Sequence, residues 1–337
     1  MRKNINTIFN YLAMAHLGLV LIICLLSSVI LSVFGLDLDL HLANANLPPS
    51  FSSGQLFGTD FLGRDVFALI LNGTKYSISI SLFSATLGTL IGVVLGTVGG
   101  FFGDNKLKVN RSTMLVSIVL LPLVIHYLNL STKLGHPDGL IFSFFVIASS
   151  ILIGYLLINF LGLFPILNKP LAIPVDFLNM KFIEILFAIP TYFVLLAMSG
   201  IFDPSIYSLI IIIGITSWPR PALLIRTEML NIREMDFVHS LKLSGIPWYQ
   251  TLVKHAIPNA ISPVIVNFVF FASGLLVVES TLSFIGIGLP GDIISWGKIL
   301  AGFKHNSANW WTALFPGLII FFTILSFHRV GRMINLR

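Results

Sequence analysis

Eight long stretches without a charged residue set the terms for this chain. They fall at 4–36, 76–103, 112–132, 139–168, 185–202, 204–219, 255–278 and 305–328. Each is near or above the roughly 18–20 residues that cross a bilayer as helix. Inside hydrocarbon no water is available to backbone N–H and C=O groups, so a spanning segment must bond them internally, as an α-helix does. The expected fold is an all-α polytopic membrane protein with about eight transmembrane helices. Composition points the same way. Only 10% of residues are charged and 56% are hydrophobic, whereas a soluble domain carries about a quarter charged residues.

An even number of spans puts both termini on one side, and the Lys/Arg asymmetry says which. With the N-terminus inside, fifteen of the 20 basic residues fall on the cytoplasmic side, among them Arg2, Lys3, Lys106, Lys108, Arg111, Lys169, Lys181, Arg220 and Arg337. Arg64, Lys75, Lys133, Lys298 and Lys304 fall outside. The expectation is N-in, C-in. The first apolar run is longer than the roughly 7–15 residues of a signal-peptide core, so it reads as an uncleaved anchor. The net charge of +6 comes from scattered residues, so no nucleic-acid partner is expected. The single cysteine, Cys24, permits no intramolecular disulfide and reads as a small core residue.

Residues 1–74 read as an anchor helix followed by an outer, loop-rich segment, and 75–334 as the main transmembrane domain. In the outer segment Asp60, Arg64 and Asp65 either form a local ion pair or stay solvated. Gly88, Gly92, Gly96 and Gly100 repeat at a spacing of four and share one helix face, a pattern for close helix packing in lipid. Residues 112–168 read as a helical hairpin closed by "STKLGHPDG", where Gly135 and Pro137 break the helix and His136 is a solvated loop residue. Pro190 is expected to kink the fifth span near its middle.

Residues 223–258 concentrate charge in a cytoplasmic loop. Ile232, Met235, Val238 and Leu241 recur every three residues, giving one narrow apolar stripe. Gly245 suits a left-handed helix end and Pro247 the first turn of a second helix. Trp248, Leu252 and Val253 give that helix an apolar face, and Pro258 is expected to stop it. Such a pair either lies on lipid headgroups or fits a groove on a cytoplasmic partner. The pattern alone does not separate the two.

The segment resembles the EAA loop of permease subunits of binding-protein-dependent ABC importers, written E-A-A-x3-G-x9-I-x-L-P. Gly245 matches the glycine, and "HAIP" at 255–258 the closing motif, with His255, Ile257 and Pro258 in their places. "HSL", His239, Ser240 and Leu241, occupies the E-A-A slot, and Asp236 lies one turn earlier. "FGTDFLGRDVF", "WPRPALLIRTEML", "REMDFV", "TLSFIGIGLP", "SWGKIL" and "WWTALFPGLIIFFTILSF" are similar, in order and spacing, to the dipeptide, oligopeptide and nickel branch. The resemblance covers about 57–111 and 182–328 and implies a type I importer bundle. Members of that branch have six spans, so 112–168 looks like an inserted hairpin.

What the resemblance implies is a subunit that works by alternating access. Its implied partners are a second homologous permease, two cytosolic ATPases docked around Gly245, an extracytoplasmic substrate-binding protein and the lipid bilayer. The chain has no G-x4-G-K-[ST], so ATP and Mg belong to the ATPases and no cofactor is expected on this chain. A peptide cargo is expected, with nickel or another small solute as the alternative. Glu279 and Ser280, at membrane depth, are substrate-path candidates or packing groups bonded to the loop around Trp296 and Lys298. The eight histidines show no metal-ligand spacing. A secondary transporter would need charged residues along a path, and a non-transporting scaffold is the other rival.

Overall fold

A computed structural model describes residues 2–36, 38–50, 55–104, 107–133 and 139–335. Lys106, Gly135, His136, Pro137 and Arg337 lie outside the described residues. In chain order the helices are α1 (Arg2–Val33), α2 (Val66–Phe102), α3 (Arg111–Lys133), α4 (Gly139–Gly162), α5 (Val175–Ala188), α6 (Thr191–Ser199), α7 (Ile206–Ser217) and α8 (Pro219–Arg233). They continue with α9 (Asp236–Leu243), α10 (Trp248–Thr251), α11 (Ile257–Ile285), α12 (Trp296–Ala301) and α13 (Trp311–Asn335). Two short strands, β1 (Lys108–Asn110) and β2 (Pro170–Ala172), pair antiparallel with Val109 opposite Leu171. Among the described residues six helices are long and apolar enough to span a membrane, or eight if the bent pairs α5–α6 and α7–α8 each count as one span.

The chain forms two compact units, residues 1–101 with 181–337, and residues 102–180. In the first, the glycine face of α2 lies against α7 and α8. A Cβ on Gly88 would stand 3.2 Å from the Gly214 carbonyl, on Gly92 2.8 Å from the Ala222 nitrogen, on Gly96 2.1 Å from Ile225 Cγ2, and on Gly100 2.6 Å from the Arg226 carbonyl. The contacts advance in step, so α2 and the bent α7–α8 pair run in the same direction at backbone contact. Where lipid tails are as apolar as leucine, small residues allow helices to associate by close van der Waals packing. Elsewhere in this unit α11 packs on α8, α12 and α13, and α1 packs on α13.

In the second unit α3 packs on α4. The base of this hairpin is zipped by β1 and β2, by Ser112 N donating to the Leu167 carbonyl (2.9 Å), and by Asn110 Nδ2 donating to Asn168 Oδ1 (3.0 Å). Phe177 N donates to Asp104 Oδ1 at 2.8 Å. Most of α4 is exposed, including Phe144, Phe145, Ile151 and Tyr155, which suits contact with lipid or another apolar surface.

Several boundaries differ from the sequence reading. Helix α2 starts at Val66, ten residues ahead of 76, and passes through position 74/75 without a break. Asp65 makes this possible by accepting a hydrogen bond from Phe67 N (2.8 Å), so a donor of the first turn is satisfied. Pro190 does not kink a helix. It stands in extended conformation (φ −56°, ψ 124°) between α5 and α6, which diverge by 85°. A proline has no N–H to continue the ladder and pushes its predecessor out of helical geometry.

Pro258 does not stop a helix either. The axis runs on from Trp248 to Ile285 through a π-helical turn at Leu252–Ala256, with Pro258 in the first turn of α11. The wider turn relaxes the ladder just where the proline would leave a bond unmade. The stripe from Ile232 to Leu241 falls on two helices, because Met235 is extended (ψ 145°) between α8 and α9. The last long helix begins at Trp311, not 305, since turns at 302–310 precede it.

Residues 55–65 are clamped to the start of α13. Trp311 Nε1 donates to the Thr59 carbonyl (2.9 Å), and Phe57 stacks on Phe315 with centroids 4.1 Å apart. Asp60 accepts from Leu62 N and Arg64 N and meets the Arg64 guanidinium at 2.7 Å, so the ion pair forms and closes the loop. Gly63 is obligatory there: at φ +78° a Cβ would lie 1.8 Å from the His41 carbonyl.

Candidate functional site

The segment from Asp236 to Pro258 is a surface built on a buried footing. Ile232, Val238, Thr251 and Ala256 are buried and fasten it to the bundle. Asp236 opens α9, where a carboxylate is favoured by the helix dipole. His239 and Ser240 are exposed and Leu241 is half-buried. The Ser240 hydroxyl turns back to the Asp236 carbonyl at 3.0 Å. At the end of α9, Ile246 N donates to Leu241 O (3.1 Å) and Gly245 N to Lys242 O (3.0 Å). These are the two bonds of a Schellman ending, with Gly245 at φ +73° in the left-handed position that such an ending requires.

On both sides of the turn the apolar side chains point outward. Leu243 is 91% exposed and Trp248 57%, and Tyr249 and Val253 are also exposed. A Cβ at Gly245 would meet nothing within 4 Å. The glycine is thus required by the backbone and lies open on the surface. His255 and Ile257 are half-buried and Pro258 is exposed at the foot of α11. The structure therefore brings Gly245, Leu243 and Trp248 to one exposed knob, while Asp236 and His239 lie further back on α9.

The other candidates, Glu279 and Ser280, lie near the opposite end of the same helical rod. Glu279 is wholly buried. Its carboxylate accepts from Ser283 Oγ (2.8 Å) and Ser280 Oγ (3.3 Å), and the buried Ser77 and Ser295 hydroxyls lie beside it. Ser77 accepts in turn from Trp296 N at 3.0 Å, and Ser295 caps α12 by accepting from Lys298 N. Three elements, α2, α11 and α12, meet on one carboxylate. Lys298 bonds the carbonyls of Pro290, Gly291 and Ile293, and burial lowers its pKa from the usual lysine value.

Comparison with known proteins fits the long apolar helices. Residues 173–337 match the family described as binding-protein-dependent transport system inner membrane component. The dipeptide transport system permease protein DppC of Bacillus subtilis (strain 168) is 24% identical over 96% of this chain and 79% of that protein. The oligopeptide transport system permease protein OppC of the same organism is 24% identical, over 94% and 82% respectively. OppC of Haemophilus influenzae is 23% identical, over 88% and 72%. Residues 173–337 thus carry this family's pattern, and the likeness to the permease proteins extends over most of the chain.

With its long apolar helices the chain is a multi-pass membrane protein. The sequence reading missed two parts of its candidate sites. Leu243 and Tyr249 belong to the exposed knob, and the apolar residue two positions before the turn glycine was the available signal. Ser77 and Ser295 belong to the Glu279 cluster. Ser77, Ser81 and Ser84 recur at helical spacing within an apolar run, which marks a polar stripe turned to the interior of the bundle.

Proposed function

We propose that this chain is the membrane-spanning permease subunit of an ATP-driven importer of di- or oligopeptides in the bacterial cytoplasmic membrane. The observation that carries the reading is the knob at Gly245. It is a glycine-centred turn with outward apolar side chains on a buried footing, continuous with α11. An exposed apolar cluster backed by a rigid helix is suited to a groove on a partner. The names of the relatives support peptides as the cargo class.

In this reading two cytosolic ATPases bind ATP and Mg and dock on the knobs of this chain and of a second homologous permease. A substrate-binding protein delivers cargo at the opposite face. Closure of the ATPases pushes the knob, and the rigid bundle converts the push into inward- or outward-facing states. Both termini and residues 223–258 lie in the cytoplasm, and 112–168 is an inserted hairpin on a six-span core.

The test is co-purification with stoichiometric ATPases, followed by reconstitution in liposomes. The expected result is peptide uptake with ATP hydrolysis stimulated by the binding protein. Uptake driven by an ion gradient without ATPases overturns the reading, as does binding of partners with no transport. Single cysteines replacing Lys169 and Gly291 are expected to label from inside and outside respectively, and the reverse pattern overturns the orientation.

A further inference from the structure

Glu279 sits in the interior of a membrane bundle, where an ionised carboxylate is costly unless every acceptor site is used. Here serine hydroxyls answer that cost, two bonded to the carboxylate directly and two more buried beside it. A carboxylate offers about four lone-pair positions, and the hydroxyls of Ser77, Ser280, Ser283 and Ser295 surround it. The two bonded donors, Ser280 and Ser283, sit on its own helix. The two hydroxyls beside it belong to α2 and to the cap of α12, so the carboxylate fastens separate elements together.

The short helix α12 is locked in the same place by shape. Trp296 is wholly buried and donates from Nε1 to the Ile70 carbonyl at 3.2 Å. A Cβ on Gly297 would lie 2.3 Å from the Ser280 carbonyl, so the backbones of α11 and α12 touch. The loop between them leaves α11 through Gly286 at φ +95° and is strapped by Lys298. The rod that ends here begins at the knob. Its 38 residues from Trp248 to Ile285 span about 57 Å at 1.5 Å per residue.

We propose that Glu279 is a positioning residue that fastens α12 to α2 and to the far end of α11, so that α12 follows displacement of the Gly245 knob. It touches no cargo in this role. The inference deepens the proposed function and rests on it: if ATPases drive the knob, the carboxylate carries the movement to the opposite face. A buried polar cluster, with Trp296 N bonded to Ser77 Oγ and Gly297 against the Ser280 backbone, fixes one arrangement of three helices where an apolar patch would tolerate sliding.

The experiment uses the assembled transporter with Cys24→Ser, to remove the native thiol, and Gly291→Cys as a reporter on the α11–α12 loop. A Cβ at 291 meets open space. An impermeant maleimide measures the labelling rate with and without ATP plus orthovanadate. The background chain is expected to show a several-fold change in rate. With Glu279→Gln or Glu279→Leu that change is lost while ATP hydrolysis continues, and with Glu279→Asp it is partly restored. Where the Glu279 variants do not assemble, Ser295→Ala, which removes the hydroxyl beside the carboxylate together with the α12 cap, gives the same loss, and Ser295→Thr, which keeps both, does not. A nucleotide-dependent change of background size in any assembled Glu279→Leu or Ser295→Ala variant overturns the proposal. A background chain that neither hydrolyses ATP with the partners nor responds to it overturns the proposed function instead.

Discussion

The two ends of the α10–α11 rod solve opposite problems. At one end Leu243, Trp248, Tyr249 and Val253 face outward around a glycine that touches nothing. At the other end a carboxylate and an indole are sealed among backbone carbonyls and serine hydroxyls. An apolar surface kept exposed on an anchored turn is suited to a partner's groove. A polar group kept buried and hydrogen-bonded holds its own chain in place. The contrast separates what the molecule offers to others from what it uses on itself.

The sharpest way to break the comparison is Trp296→Ala. If the far end is structural, deleting the indole costs about 3–5 kcal/mol, the range for a buried aromatic, seen as a large fall in detergent melting temperature. A wild-type melt for that variant would remove the structural reading of this end. Next in size is Gly245→Val, which places a β-branched residue at φ +73° and costs roughly 1–2 kcal/mol of backbone strain. The expected outcome is loss of co-purifying ATPases with only a modest change in melting. Transport at the wild-type rate would sink the docking role of the turn.

Smaller still is Leu243→Ser. A side chain 91% exposed contributes little to the isolated fold, so melting stays unchanged while affinity for the ATPases falls. A variant that melts earlier and binds normally would reverse the assignment. The smallest effect is expected at Asp65. Burial raises its carboxyl pKa from 3.8, opposed by hydrogen bonds from the Phe67 and Ala68 backbone. The contribution of a raised acid is present below its unfolded value and lost as pH rises through the folded one. Asp65→Asn keeps a capping oxygen and is expected to raise the melting temperature slightly at pH 7. A clear fall would show that the charge itself stabilises the start of α2.

Much of this was legible in the chain. Long uncharged runs announce helices because the bilayer permits little else, and Gly88 to Gly100 announce a close approach because a four-residue spacing keeps them on one face. Gly245 followed by Pro247 announces a left-handed turn for local steric reasons. The prolines were the least legible residues. Pro190 separates two helices at 85° while Pro258 sits inside a continuous rod. The same ring gives two outcomes because the neighbouring packing decides whether a π turn can absorb the lost bond or the chain must turn away.

The site residues divide in the same manner. Sequence alone determined that this is a multi-spanning helical protein, that one glycine-centred turn stands clear of the apolar runs, and that a lone carboxylate falls at membrane depth. Those features rest on composition, spacing and local backbone preference, which act within a few residues. Only the tertiary structure decided that Gly92 and Gly96 meet Ala222, that the knob and α12 share one helical rod, and that Ser77 and Ser295, more than 200 residues apart, converge on Glu279. Such pairings depend on which helix faces meet, and hydrogen bonds between distant segments leave no periodic trace in the chain that makes them.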